Sequence, residues 1–311
     1  MRKEPLRAGV TRKDFCKGLG LGLAALGLGG FNLEALAQAP SPGRIDDPSD
    51  DFTLRALRRI IETYELPASG FDPEGGWVHN YYIYTWTSGL LRHGAELVLS
   101  RTPGLGGHRL NGACRRPGLS AYSHFVQLQA DCLSNTLGTP RNWLATTKMA
   151  LKIDQPPYLH TGGKTTGKAA GRTIELDHGV RKRTYPLSEP FTLRWCLFEA
   201  VQRLERAQAK RLDFTLVDEF DQLWPAQSLT FHKRLRLQLA SGPQVLTGYA
   251  HTGRGMSYPT VYWVDETGRA LFCFSGLNLW VLHDEAGQRL PYDDQAIKVA
   301  DFRQQPAGGG H

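Results

Sequence analysis

Few patterns that announce a chemistry are present in this chain. Its five cysteines include no CxxC pair, and its ten histidines show no HxH or HxxxH spacing. Without such spacing neither a zinc site nor a histidine metal centre is legible, and no cofactor is expected. GxSxG and other nucleophile motifs are missing. The apolar stretch Gly18–Phe31 is too short for an ordinary transmembrane helix. A one-sided charge is lacking as well. The formal net charge is +7, but residues 1–37 hold six of the 37 basic and three of the 30 acidic residues. The remaining 31 against 27 leave +4, which makes no case for nucleic acid.

What is present begins with an address. Met1–Lys17 is polar and basic, Gly18–Phe31 apolar, and Ala35-Leu36-Ala37 a small-residue cleavage pattern. These are the three regions of an export signal, residues 1–37, with cleavage after Ala37 or Ala39. Residues 38–51 form a Pro/Ser/Asp linker, 52–302 a single domain, and 303–311 a disordered tail. Within the signal, Thr11–Lys17 (TRKDFCK) resembles a twin-arginine translocation signal. Arg12, Phe15 and Lys17 match the pattern, and Lys13 stands where the second arginine is usual. That resemblance implies the twin-arginine translocase as a partner and a periplasmic or secreted mature protein.

The body reads mainly as strands. Tyr258–His283 (YPTVYWVDETGRALFCFSGLNLWVLH) is the longest apolar, β-prone run. Its turn signals divide it into Thr260–Val264, Ala270–Phe274 and Leu277–Leu282, with apolar side chains on both faces. Period-two strands are also expected at Trp77–Thr87, Leu90–Ser100, Tyr122–Ala130, Trp143–Ile153, from Leu229, and at Val245–Thr252. Thr173–Asp177 and Val180–Arg183 frame a hairpin around His178-Gly179. Arg101–Leu119 and His160–Gly171 read as loops. Helices are expected at Phe52–Glu65, Pro190–Ala207 and Asp213–Leu223. The fold class that follows is α+β: a large curved antiparallel sheet, a half-barrel, with helices packed on one face. This element order loosely resembles periplasmic proteins of the lipoprotein-carrier type over most of residues 52–283. The resemblance implies a concave face that holds an acyl chain or another elongated ligand.

Candidate functional residues follow from the aromatic strands. Trp77, His79, Tyr81, Tyr82, Tyr84, Trp263 and Trp280 are expected to line an apolar or aromatic groove for a lipid-like or glycan ligand. Aromatic residues are also good strand formers, so sheet packing is the competing reading. The first functional reading is a non-catalytic periplasmic binding or carrier protein. The alternative is a secreted carbohydrate-active lyase or hydrolase, with His79, His124 or His251 acting beside a tyrosine. Gly162–Lys168 has the spacing of a phosphate loop, but Ala169 takes the hydroxyl position and a strand follows it, so a flexible basic loop is the better reading. In an oxidising compartment Cys114 and Cys132 would close a disulfide across the long connection.

Overall fold

The computed structural model describes residues 45–46, 60–61, 63–67, 70–87, 90–117, 122–151, 159–205, 207, 209–218, 220–276 and 278–283. All lie within the compact unit Pro40–His311. The export signal, the C-terminal tail, most of the linker and residues 52–59 and 62 of the expected first helix lie outside the described residues.

Among the described residues sixteen strands make one sheet. In chain order they are β1 (Ile45–Asp46), β2 (Trp77–Thr87), β3 (Leu90–Gly104), β4 (Gly107–Pro117), β5 (Tyr122–Leu133), β6 (Pro140–Leu151), β7 (Leu159–Ala170) and β8 (Thr173–Asp177). They continue as β9 (Lys182–Pro186), β10 (Phe191–Leu193), β11 (Arg211–Asp218), β12 (Gln222–Leu239), β13 (Gly242–Gly253), β14 (Thr260–Val264), β15 (Ala270–Ser275) and β16 (Asn278–His283). Strands β2–β9 form one meander and β11–β16 another. The two are joined where the last strand, β16, pairs antiparallel with β2, Trp280 opposite Ile83. Among the described strands, only β1 on β12 and β10 on β11 pair in parallel.

The α+β expectation is overturned: the described protein is nearly all β, and no layer of helices covers a face. The one helix with a full set of described residues is α1 (Cys196–Val201), six residues long and buried on every side. Five of its six residues are apolar, and the sixth, Glu199, is buried with them. A helix buried on every side belongs inside a core, and α1 is enclosed by the sheet rather than laid upon it. Phe198 meets Tyr81 of β2, Tyr262 of β14 and Trp280 of β16. The helix expected over Pro190–Ala207 starts instead as a strand, because Phe191, Thr192 and Leu193 pair with Thr215, Leu216 and Val217. The helix expected over Asp213–Leu223 is β11 and the first turn of β12. Leu212 and Phe214 fit period two as well as they fit a helical face, and pairing with Leu229 and Gln227 decides it,.

Both expected loops are also strands, and glycine explains the misreading. Gly167 on β7 stands opposite Trp143 on β6, where a Cβ would lie 1.9 Å from the indole. Gly112 on β4 makes the same room for Trp195, and Gly248 on β13 for Trp263. These glycines seat tryptophans rather than break strands. Replacing Gly167 by alanine is therefore expected to destabilise the fold by about 1–3 kcal/mol, the usual range for overpacking. Trp143 has nowhere to retreat, since Phe191 lies beside it and its indole N–H donates to the Phe220 carbonyl at 3.4 Å. Urea denaturation compared with an exposed control with open space and no positive φ, Gly70→Ala, measures it; an unchanged midpoint for Gly167→Ala refutes the seating.

Candidate ligand-binding site

Across β4–β9 the sheet separates a core row from a solvent row. One inward rung runs Leu110, Ala130, Trp143, Gly167, Leu176, each opposite the next. All of these are buried. A neighbouring rung, turned the other way, runs Arg109, Asp131, Asn142, Lys168, Glu175, Thr184. A second outward rung runs Gln129, Leu144, Thr166, Asp177, Lys182. Together the outward rungs line an open groove of about 640 Å³ that crosses the strands.

The groove is lined mainly by polar and charged residues, nearly balanced in charge. Arg109 Nε donates to Asp131 Oδ1 at 2.9 Å, with both side chains about half exposed at 47% and 49%. Lys182 Nζ lies 3.2 Å from Asp177 Oδ2. The backbone N–H of Gly179, and then Lys182, hold the Asp177 carboxyl below its usual range. Exposed pairs of this kind contribute little, so a ligand can exchange partners with them at small cost. Neighbouring strands lie about 4.8 Å apart, so a ligand running across them meets a new polar side chain at each step.

The residues expected to line a groove are packed, and they divide between the two faces of the sheet. Trp77, His79 and Tyr81 follow one another along the inward face of β2. Trp77 stacks on His79 at 4.4 Å, and Tyr81 lies 4.9 Å from Phe198. Trp280 joins them on that face through Phe198. Tyr82, Tyr84 and Trp263 point the opposite way; Tyr82 stacks on His283 at 4.0 Å, and Trp263 covers Gly248. Only Tyr84 and Trp280 keep partial exposure.

The three histidines considered for catalysis do not share a cleft. The Tyr81 hydroxyl donates to the Ala270 carbonyl at 3.0 Å, so at 3.3 Å His79 Nδ1 must be the donor to it,. That places a proton on Nδ1, and burial, followed by the Arg269 charge, lowers the His79 pKa to about 3, which keeps the ring neutral at pH 7. His251 Nε2 lies 3.1 Å from Gln227 Oε1, and burial with Arg194 lowers its pKa to about 4. His124 is half-buried on β5, opposite Met149.

A buried ionic cluster escaped the sequence reading. Glu199 of α1 accepts from Arg101 Nε at 3.2 Å and from Arg203 Nη2 at 2.7 Å. Arg101 also donates to the carbonyls of Glu74 and Gly75 and to the Glu74 carboxylate. His108 Nε2 sits 3.7 Å from Glu199 Oε1, beyond a hydrogen bond, and burial with the two arginines lowers its pKa to about 3. Burial pushes the Glu199 carboxyl up, against the pull of Arg203 and Arg101. The i, i+4 spacing of Glu199 and Arg203 was the one visible signal.

Cys114 and Cys132 are buried and are not bridged by a disulfide. The expected bridge fails on register: Cys114 stands opposite Val126, six residues along β5 from Cys132, or roughly 20 Å of strand. Among the described residues no group of His, Cys, Asp and Glu could hold a metal ion.

No protein family and no curated protein matches the chain. The crystal structure of a β-barrel-like protein, a domain of unknown function from Brucella abortus, is similar over 68% of this chain and 97% of that one. The identity is 13% and the TM-score 0.47, a likeness that carries no argument about function.

Proposed function

We propose that this is an exported, non-catalytic binding protein whose outward groove on β4–β9 takes a polar, elongated ligand, a glycan by its chemistry. The observation that carries the reading is the pair of outward rungs. They offer amide, hydroxyl, guanidinium, ammonium and carboxylate groups in register along one open channel. Ring hydroxyls need donors and acceptors side by side, and the two rungs supply both. A lipid-like ligand would need an exposed apolar wall, and the aromatic residues that would form one are engaged with each other. The histidines of the enzymatic alternative lie away from this groove, so binding is the preferred reading. Export and the twin-arginine route rest on the signal sequence alone.

Purified mature protein applied to an array of bacterial envelope oligosaccharides tests the proposal, followed by titration calorimetry with a retained sugar. Arg109→Ala combined with Lys168→Ala is expected to weaken binding at least about tenfold, the loss of one or two charge-assisted hydrogen bonds. The thermal midpoint should stay within about a degree or two of wild type, since both residues are exposed,. No retained glycan, or affinity indifferent to both substitutions, would overturn the assignment.

A further inference from the structure

We propose that Cys132 and Cys196 are a disulfide-forming pair that ties the core helix to the β2–β9 meander. Their sulfurs lie 3.9 Å apart, both side chains are buried, and the residues are 64 apart in sequence. Cys132 is the penultimate residue of β5, and Cys196 opens α1. A bond of about 2.05 Å requires the sulfurs to close by roughly 2 Å, within reach of a change of side-chain rotamer. The position matters mechanically. Apart from the chain itself, the two meanders are hydrogen-bonded strand to strand at β16–β2. A bridge from β5 to α1 would add a covalent link between the first meander and the segment that leads into the second.

The chemistry is thiol–disulfide exchange with an external disulfide oxidant. One cysteine thiolate attacks a sulfur of the oxidant, whose S–S bond breaks to leave a mixed disulfide and one released thiolate. The second cysteine thiolate then attacks the protein-side sulfur, forming the Cys132–Cys196 bond and releasing the other half of the oxidant. Two electrons pass to the oxidant, and the two protons lost by the cysteines end on its thiols. The hydrogen bond to Cys196, together with burial, raises the Cys132 pKa, so Cys132 in the folded protein makes a poor nucleophile. Bridge formation therefore belongs to folding, or to slow local opening, in an oxidising compartment.

The test refolds the full chain from urea with oxidised glutathione as the probe, blocks free thiols without reduction, and maps tryptic peptides by mass spectrometry. Cys132 and Cys196 fall on different peptides. The expected product joins the peptide ending at Arg141 to Trp195–Arg203, while Cys114 and Cys273 remain alkylated. Its thermal midpoint should exceed that of the reduced protein by roughly 5–10 °C. The bridge should form many-fold faster from the unfolded chain than in the native protein. Cys196→Ala should leave Cys132 alkylated. Wild-type mapping decides the matter even if that variant fails to fold. Four alkylated thiols among Cys114, Cys132, Cys196 and Cys273, or a linked peptide carrying Cys114 or Cys273, would overturn the pairing.

Discussion

Moved from pH 7 to pH 5, the folded protein is expected to lose about 6 kcal/mol of stability, about 2 kcal/mol for each of three neutral histidines. His79 and His108 have pKa values lowered to about 3, and His251 to about 4. An unfolded histidine titrates near 6.5. Between that value and the folded one the unfolded chain binds the proton and the folded chain does not. A depressed folded pKa therefore gives stability that is full above about pH 6.5 and is lost as pH falls towards 3. Burial is the first cause at all three sites. The cations behind it differ: Arg269 beside His79, Arg101 and Arg203 beside His108, and Arg194 beside His251. Glu199 is shifted upwards and so works in the opposite sense, but it is one group against three. A loss near 6 kcal/mol is comparable with the whole stability of an ordinary domain, about 5–15 kcal/mol. Urea midpoints followed by tryptophan fluorescence at pH 7, 6 and 5 should fall steeply, and His108→Leu should remove about a third of the slope. A flat profile over that range would mean that the three rings are solvated.

The parts of the fold legible in the sequence were those where apolar periodicity and turn chemistry agreed. Trp77–Thr87 and Thr260–Val264 came out with the expected bounds. The hairpin after Asp177 turns through Gly179 at φ 80°, as the His178-Gly179 pair suggested. Strand β14 is buried at all five positions, in keeping with its apolar residues on both faces. What misled were sites where tertiary contact overrides local preference. Gly163 and Gly167 weaken β7 as an isolated strand, yet Gly167 is there because Trp143 needs the space. Phe220 turns the chain between β11 and β12 at φ 67°, a conformation that nothing in its residue type announces. Its ring packs edge-on against Trp195 at 5.1 Å. The groove was hidden for a related reason. Lys168 and Glu175 stand opposite each other, but the segment holding Lys168 read as a loop and so had no outward face to share. Aromatic side chains drew the functional reading inward, to positions whose size makes them good core.

Removing the Glu199 carboxylate is the single substitution expected to cost most, about 3–5 kcal/mol for Glu199→Ala, because it strips two buried guanidinium groups of their buried counter-charge and leaves them sharing the half-exposed Glu74 carboxylate,. The loss should be unequal between them. Arg101 keeps a hydrogen bond to the Glu74 carboxylate and the carbonyls of Glu74 and Gly75, whereas Arg203 keeps the Asn135 carbonyl at 2.8 Å and a looser 3.8 Å approach to Glu74 Oε1. Glu199→Gln should recover little, since an amide is nearly isosteric but cannot neutralise either arginine. Pairing Glu199→Ala with Arg203→Met separates a charge effect from a packing effect. If uncompensated charge dominates, the double variant is more stable than the sum of the two single losses predicts, by about 1–2 kcal/mol. If the losses simply add, Glu199 matters for its packing and the ionic account fails. Urea denaturation at pH 7, where all three histidines are neutral, keeps His108 from adding a charge to the same cluster. The contacts explain why a marginal arrangement of buried charge is placed here. Glu199 lies on the short core helix, Arg101 on β3 and Glu74 on the segment before β2, while Arg203 reaches the turn after β5 through Asn135. Four segments distant in sequence meet at one carboxylate, so its removal should lower the cooperativity of unfolding as well as its midpoint.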